Sequence, residues 1–265
     1  MQKKIKLLIF MFLIVTSLYG QNSAFTTSVS LVGMSMDYKE YDNSSTLIDS
    51  EKSDFMELGG VEIGLGYMVS KEMSAYTQVN MNFMMLTGSS TYKGSVLGSG
   101  DPYGTITSTT QNTIMDMELS YKRGYSLSKS LELNYGLGFG YRYWERSLSA
   151  SQVETYTWYS LRPMIGVDYA LNNRVNIALE LEYQYGINPV MDESTYGEFT
   201  LGGADIIELS LPISYKYNEK LDMFFEYVYQ KQTIEKSNVV SGYVEPDSTA
   251  KNQYLKAGFA FKFRC

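Results

Sequence analysis

Histidine is absent from all 265 residues, and cysteine occurs once, at Cys265. Without histidine no Ser–His–Asp arrangement can be assembled and no His-ligated metal centre can form. The familiar hydrolase chemistry, whose general base titrates near neutral pH, is therefore excluded. A lone cysteine rules out an internal disulfide, and at the extreme C-terminus it makes a poor nucleophile. Proline is scarce, with 5 residues. Beyond residue 20 no segment has the roughly eighteen consecutive apolar residues of a membrane-spanning helix. An excess of positive charge is lacking too. The formal charge is −7, so there is no basic stripe to neutralise phosphates, and nucleic acid is a poor partner.

What the chain does have begins with its first twenty residues. Lys3, Lys4 and Lys6 precede an apolar run from Leu7 to Val15, and Leu18-Tyr19-Gly20 offers a small residue before polar Gln21. This pattern predicts a secretory signal peptide over 1–20, removed by cleavage, followed by one domain over 21–265. With 24 Tyr, 12 Phe and 22 Gly, the composition favours strands and turns, and tyrosine also suits a membrane interface.

Period-two alternation dominates. Val175, Ile177, Leu179, Leu181, Tyr183, Tyr185 and Ile187 fall on one face, against Asn176, Ala178, Glu180, Glu182, Gln184 and Gly186 on the other. A helix would scatter these residues, whereas a strand separates them. Ten such segments are predicted, near 25–41, 55–69, 73–92, 113–127, 131–147, 155–170, 175–187, 205–217, 221–235 and 252–263. Pro212 is expected to mark a bulge. Short turns alternate with longer polar loops at 42–54, 93–112, 148–154, 188–204 and 236–251. That order fits an all-β, single transmembrane antiparallel up-and-down β-barrel with both termini on the periplasmic side. A soluble sandwich would mix connection lengths at both ends.

Charge assigns the faces. One face carries Asp116, Arg142, Arg146, Arg162, Glu180, Glu182, Glu208, Lys216, Asp222 and Glu226, while the other is nearly free of charge. Arg or Lys facing lipid at the bilayer midplane costs roughly 2–4 kcal/mol, so the charged face is expected to line the lumen. Turn positions set Asp116 near Arg142, Arg162 near Glu182 and Lys216 opposite Asp222, pairs that would fix the register. A narrow or plugged lumen follows for about ten strands. Trp144 and Trp158 are expected to pack at the outer rim. Glu180, Glu182 and Glu208 form a candidate cation or acid–base group, for which a salt-bridged lumen is the simpler account. Arg142, Arg146 and Arg162 form a candidate anion-selective constriction.

The export signal, the alternating strands and the aromatic final strand from Tyr254 to Phe263 resemble those of bacterial outer-membrane β-barrel proteins. The strand count is similar to that of the omptins, whose catalysis uses an Asp–His pair; no such pair can be placed on a chain without histidine. The resemblance implies insertion by the barrel-assembly machinery, contact with outer-membrane lipid and lipopolysaccharide, and a location in the outer membrane. Arg264 and Cys265 after Phe263 depart from the usual aromatic ending of that assembly signal. The expected role is non-enzymatic, structural or surface-exposed, as a monomer without cofactor or metal. Two alternatives stay open: a small porin-like channel, and an adhesin or recognition protein acting through the outer loops.

Overall fold

A computed structural model describes residues 24–71, 74–95 and 101–264. The expected signal peptide over 1–20 lies outside the described residues. In chain order the strands are β1 (Ala24–Tyr41), β2 (Leu47–Lys71), β3 (Ala75–Gly94), β4 (Ile106–Ser126), β5 (Leu131–Ser149) and β6 (Gln152–Ala170). They continue as β7 (Val175–Glu193), β8 (Gly197–Thr200), β9 (Ala204–Lys216), β10 (Leu221–Ile234) and β11 (Asp247–Arg264). Neighbours pair antiparallel, and β1 closes the sheet by pairing β11 from Ala24↔Arg264 to Tyr41↔Asp247. Ten strands make the wall. The short β8 pairs only β7, as a flap at the outer end.

Alternation decides which way each side chain points. Leu31, Ile63, Leu119, Leu137, Ile165, Leu181, Leu209 and Phe225 lie on the outside and are 39% or more exposed. Along β6 the outward apolar face runs from Tyr159 to Tyr169, which at 3.3 Å per residue and a tilt of about 40° spans ~25 Å, the height of a hydrocarbon belt. Tyrosines gather toward the belt's edges, with Tyr141 against Tyr159 at 5.2 Å above and Tyr125 against Tyr135 at 6.1 Å below. An apolar band of this kind, flanked by aromatic rings, matches lipid and not water.

The strands run farther outward than the sequence pattern suggests. β2 starts at Leu47 and β4 at Ile106, so much of the expected loops 42–54 and 93–112 is strand, and β5 and β6 are separated only by residues 150–151. The cause is local: Thr105-Ile106-Thr107-Ser108-Thr109-Thr110 is rich in β-branched residues, and the ladder continues above the belt where polar residues face water on the outside. Bulges are concentrated in these extensions. Asp54–Glu57 loop out of β2, with Met56 at φ 74° and 74% exposed, and the register with both β1 and β3 shifts there. Opposite, Gly88 is required, because a Cβ would sit 1.9 Å from the Glu57 carbonyl oxygen. In β7, Asn188 at φ 50° accompanies a shift against β6. This moves the buried face from Glu182 and Gln184 to Met191 and Glu193.

Pro212 does not make the expected bulge. The β7–β9 ladder passes from Ile177↔Ile213 to Glu180↔Ser210 in unchanged register, missing the rungs between. A proline lacks the N–H that a rung needs, and here it removes bonds without adding a residue. Pro163 does the same on the other side of β7, where the ladder skips from Leu161↔Tyr185 to Met164↔Glu182. Placing Arg at Ile165, midway down the belt, should cost roughly 2–4 kcal/mol. Arg at Thr109, outside the belt, should cost within about 0.5 kcal/mol. Equilibrium refolding into phosphatidylcholine vesicles measures both, and equal costs would refute the position of the belt.

Candidate functional site

The interior is layered. Halfway along the barrel Asp116 is the hub: Arg162 contacts its Oδ1 at 2.9 Å and its Oδ2 at 3.1 Å, and Arg142 reaches Oδ2 at 3.5 Å. Arg142 stands directly across from Asp116 in the β4–β5 register. Arg162, by contrast, is not opposite Glu182; Met164 holds that place. Arg162 instead lies across β5 to Asp116 and Glu118 on β4. Glycine makes this reach possible, because a Cβ on Gly140 would fall 2.2 Å from the Arg162 Nε. Both arginines are nearly fully buried.

Around this hub the remaining charges sort into pairs. Lys122 Nζ donates to both oxygens of Glu180 at 2.7 and 2.8 Å, and Lys256 bridges Glu62 at 2.9 Å and Glu226 at 3.4 Å. Glu182 and Glu208 face each other across β7 and β9. Each accepts an amide proton at 2.9 Å, Glu182 from Gln184 and Glu208 from Gln230. Lower down, Lys216 pairs Asp222 in register, but the carboxylate's ion pair is with Lys262. The hub and the pairs around it line a chamber of about 300 Å³, from which further cavities, lined by Lys216, Asp222 and Lys262, lead past Asp168 and Asn176 to the end bearing the short turns.

The opposite end is filled. Val32, Met34, Leu58, Leu86, Ile114 and Ile206 are buried inside the barrel and form a hydrophobic core above the belt. Trp144 and Trp158 belong to this layer, at 2% and 1% exposure, and not to the rim. They occupy even positions, which point inward in β5 and β6. Arg146 does not join Arg142 and Arg162. It sits in the outer layer, with Glu154 at 2.8 Å, Glu40 at 3.0 Å and Glu51 at 3.1 Å, and lies 4.3 Å over the Tyr38 ring. Trp144 packs edge-on to Tyr38 and stacks on Tyr156. With Arg142 and Arg162 held by Asp116 and Arg146 held by acids in a different layer, the three do not meet in an anion-selective constriction.

Glu40, Glu51 and Tyr38 escaped the sequence pattern. Glu51 falls in an expected loop, and the even face of β1 is apolar from Val32 to Met36, so inward Tyr38 and Glu40 lacked the charged pattern used to mark a lumen. The even spacing of Tyr38 and Glu40 was the available signal.

No protein-family model matches the chain, and no curated protein does. Among solved structures, the outer-membrane protease OmpT from Escherichia coli aligns with a TM-score of 0.56 at 10% identity, over 91% of this chain and 97% of its own. The chain has the fold of a bacterial outer-membrane β-barrel. The translocator domain of the autotransporter NalP from Neisseria meningitidis aligns over 99% of this chain and 98% of its own, at 9% identity and a TM-score of 0.48. OprG from Pseudomonas aeruginosa covers 93% and 97%, at 10% identity and a TM-score of 0.40. Likeness at such identities speaks to fold alone.

Carboxylates outnumber the single arginine in the outer cluster. Burial, with Glu40 nearby, pushes Asp49 up to about 7. Burial also raises Glu154 to about 7, helped by Glu40 and Glu51 against the pull of Arg146, and it lifts Glu245 well above the usual range. These acids hold protons in the folded barrel that the unfolded chain would release. Stability is therefore fully present below the ordinary carboxylate range near 4 and falls as pH rises through about 7, where the Asp49 and Glu154 contributions are lost. The melting temperature in detergent should be lower at pH 8 than at pH 5, and Glu154→Gln should narrow the gap. An unchanged gap would remove Glu154 from the linkage.

Proposed function

We propose that this chain is a non-enzymatic outer-membrane barrel with a closed outer end, acting as a structural and surface-exposed protein. The observation that carries this reading is the filled outer interior, where Tyr38, Trp144, Tyr156 and Arg146 pack together above a buried apolar layer. Such a layer leaves solutes no wet path through. The lack of histidine and the pairing of Arg142, Arg146 and Arg162 with interior carboxylates favour a scaffold over a catalyst. Outer-membrane location follows from the apolar belt together with the expected signal peptide. Insertion by the barrel-assembly machinery, contact with lipopolysaccharide and a monomeric state belong to the same proposal. The strand extensions carry the surface-exposed part beyond the lipid.

A small porin-like channel is the second reading, favoured by the wet chambers that open toward the short-turn end. Conductance in planar bilayers separates the two. The closed barrel should show no steady open level. A steady level in the native protein, abolished by Arg142→Ala or Arg162→Ala, would overturn the closed reading in favour of the channel.

A further inference from the structure

Past the outer edge of the belt, one side of the barrel carries a cluster of positive charge. On β10 the outward face runs Met223, Phe225, Tyr227, Tyr229 and then Lys231. On β11 it runs Phe261, Phe259, Ala257, Leu255, Gln253 and then Lys251. The two lysines therefore come where the apolar run ends, at the level of lipid headgroups. They stand directly across from each other in the β10–β11 register, and both are exposed. Like charges so placed destabilise a ladder, and an anion between them removes the penalty. Among the described residues neither forms a salt bridge. Asp37, in register with Lys251 on its other side, already carries Lys39 at 3.2 Å and Lys52 at 3.8 Å. Asp205 on β9 stands in register with Thr233, one outward position beyond Lys231.

Lys39, Lys52, Lys231 and Lys251 thus surround the single carboxylate of Asp37, in a chain whose acids outnumber Lys and Arg by 29 to 22. At the same rim on β5 the outward charge is an acid, Glu145, which accepts from Tyr143. A neutral donor joins the lysines. Gln253 accepts the Tyr227 hydroxyl at 2.9 Å with its Oε1, which leaves its amide nitrogen to donate. We propose that this patch binds the phosphates of a glycolipid, the lipid A anchor of lipopolysaccharide, in the outer leaflet. Lys231 and Lys251 hold one phosphate between them by charge-assisted hydrogen bonds, and Lys39 and Lys52 attract anionic groups farther out. The inference rests on the outer-membrane reading above. Two observations favour the glycolipid over other anionic lipids. The patch lies on the side of the strand extensions, which face the outer leaflet. It also climbs from Lys251 past Asp37 to Lys39, nearer the outer end of β1. That spread suits a headgroup with several anionic groups carried on sugars, whereas a single phosphate would occupy one rung. Beneath it, Tyr229, Tyr227 and Phe225 offer the acyl chains an apolar surface.

Native mass spectrometry of the full barrel in non-ionic detergent tests the site, with diphosphorylated lipid A as the probe. One lipid should bind saturably, and dephosphorylated lipid A should bind at least about tenfold more weakly. Lys231→Gln combined with Lys251→Gln should weaken binding by a similar factor, while Lys231→Arg combined with Lys251→Arg should retain it. Lys129→Gln combined with Lys220→Gln removes two exposed lysines at the short-turn end and should leave binding unchanged. Binding that survives the Lys231 and Lys251 glutamine pair, or that ignores loss of the phosphates, overturns the proposal. Equal affinity for phosphatidylglycerol overturns it too, because the surface would then take any anionic lipid. Refolding into phosphatidylcholine vesicles separates this site from the reading it rests on. A barrel that inserts there but does not bind lipid A refutes the site alone, and one that fails to insert refutes the membrane reading with it.

Discussion

Closure of the sheet is the constraint from which the rest follows. An open edge in hydrocarbon would leave a row of N–H and C=O groups with no partner, at several kcal/mol each. The β1–β11 ladder, unbroken from Ala24↔Arg264 to Tyr41↔Asp247, removes that edge. Once the wall is closed, every strand has one side facing lipid and the other facing a narrow interior, and period two leaves no third choice. Leu137 must then be lipid-facing and Gly138 interior, and the glycine makes room for Arg162.

A narrow interior brings charges together with little water, so each must find a partner close by. The hub at Asp116 shows how this is done. Arg142 comes from the next strand, and Arg162 comes from the strand after that, over glycines that leave the path clear. The outer layer follows the opposite rule, with one arginine serving several acids and aromatic rings filling what remains. Desolvation of unpaired charge is what makes both arrangements necessary.

The architecture was legible in the sequence because alternation is a short-range signal. Residues 175–187 declare both their strand and its two faces, and the charge of Glu180 and Glu182 says which face avoids lipid. Register was legible only next to tight turns. Asp116 and Arg142, joined by a short turn, were placed correctly, whereas Arg162 and Glu182 were set together although Met164 occupies that rung. Contacts across a strand, such as Arg162 to Asp116, depend on which intervening residues lack side chains, and no pairwise rule reveals them. The buried layer of Val32, Met34 and Ile114 was hidden for another reason. Above the belt the outer face turns polar while the inner face turns apolar, so the meaning of the alternation reverses within a single strand.

The two prolines beside β7 give the wall a mechanical weak line. Pro163 and Pro212 each remove rungs, from opposite edges of the same strand and within the height of the belt. β7 is thus fastened less well between Ala178 and Gln184 than the unbroken β4 and β5 are to each other. Along β7, therefore, fewer rungs must break to part the wall within the belt than at the unbroken β1–β11 junction that closes the cylinder.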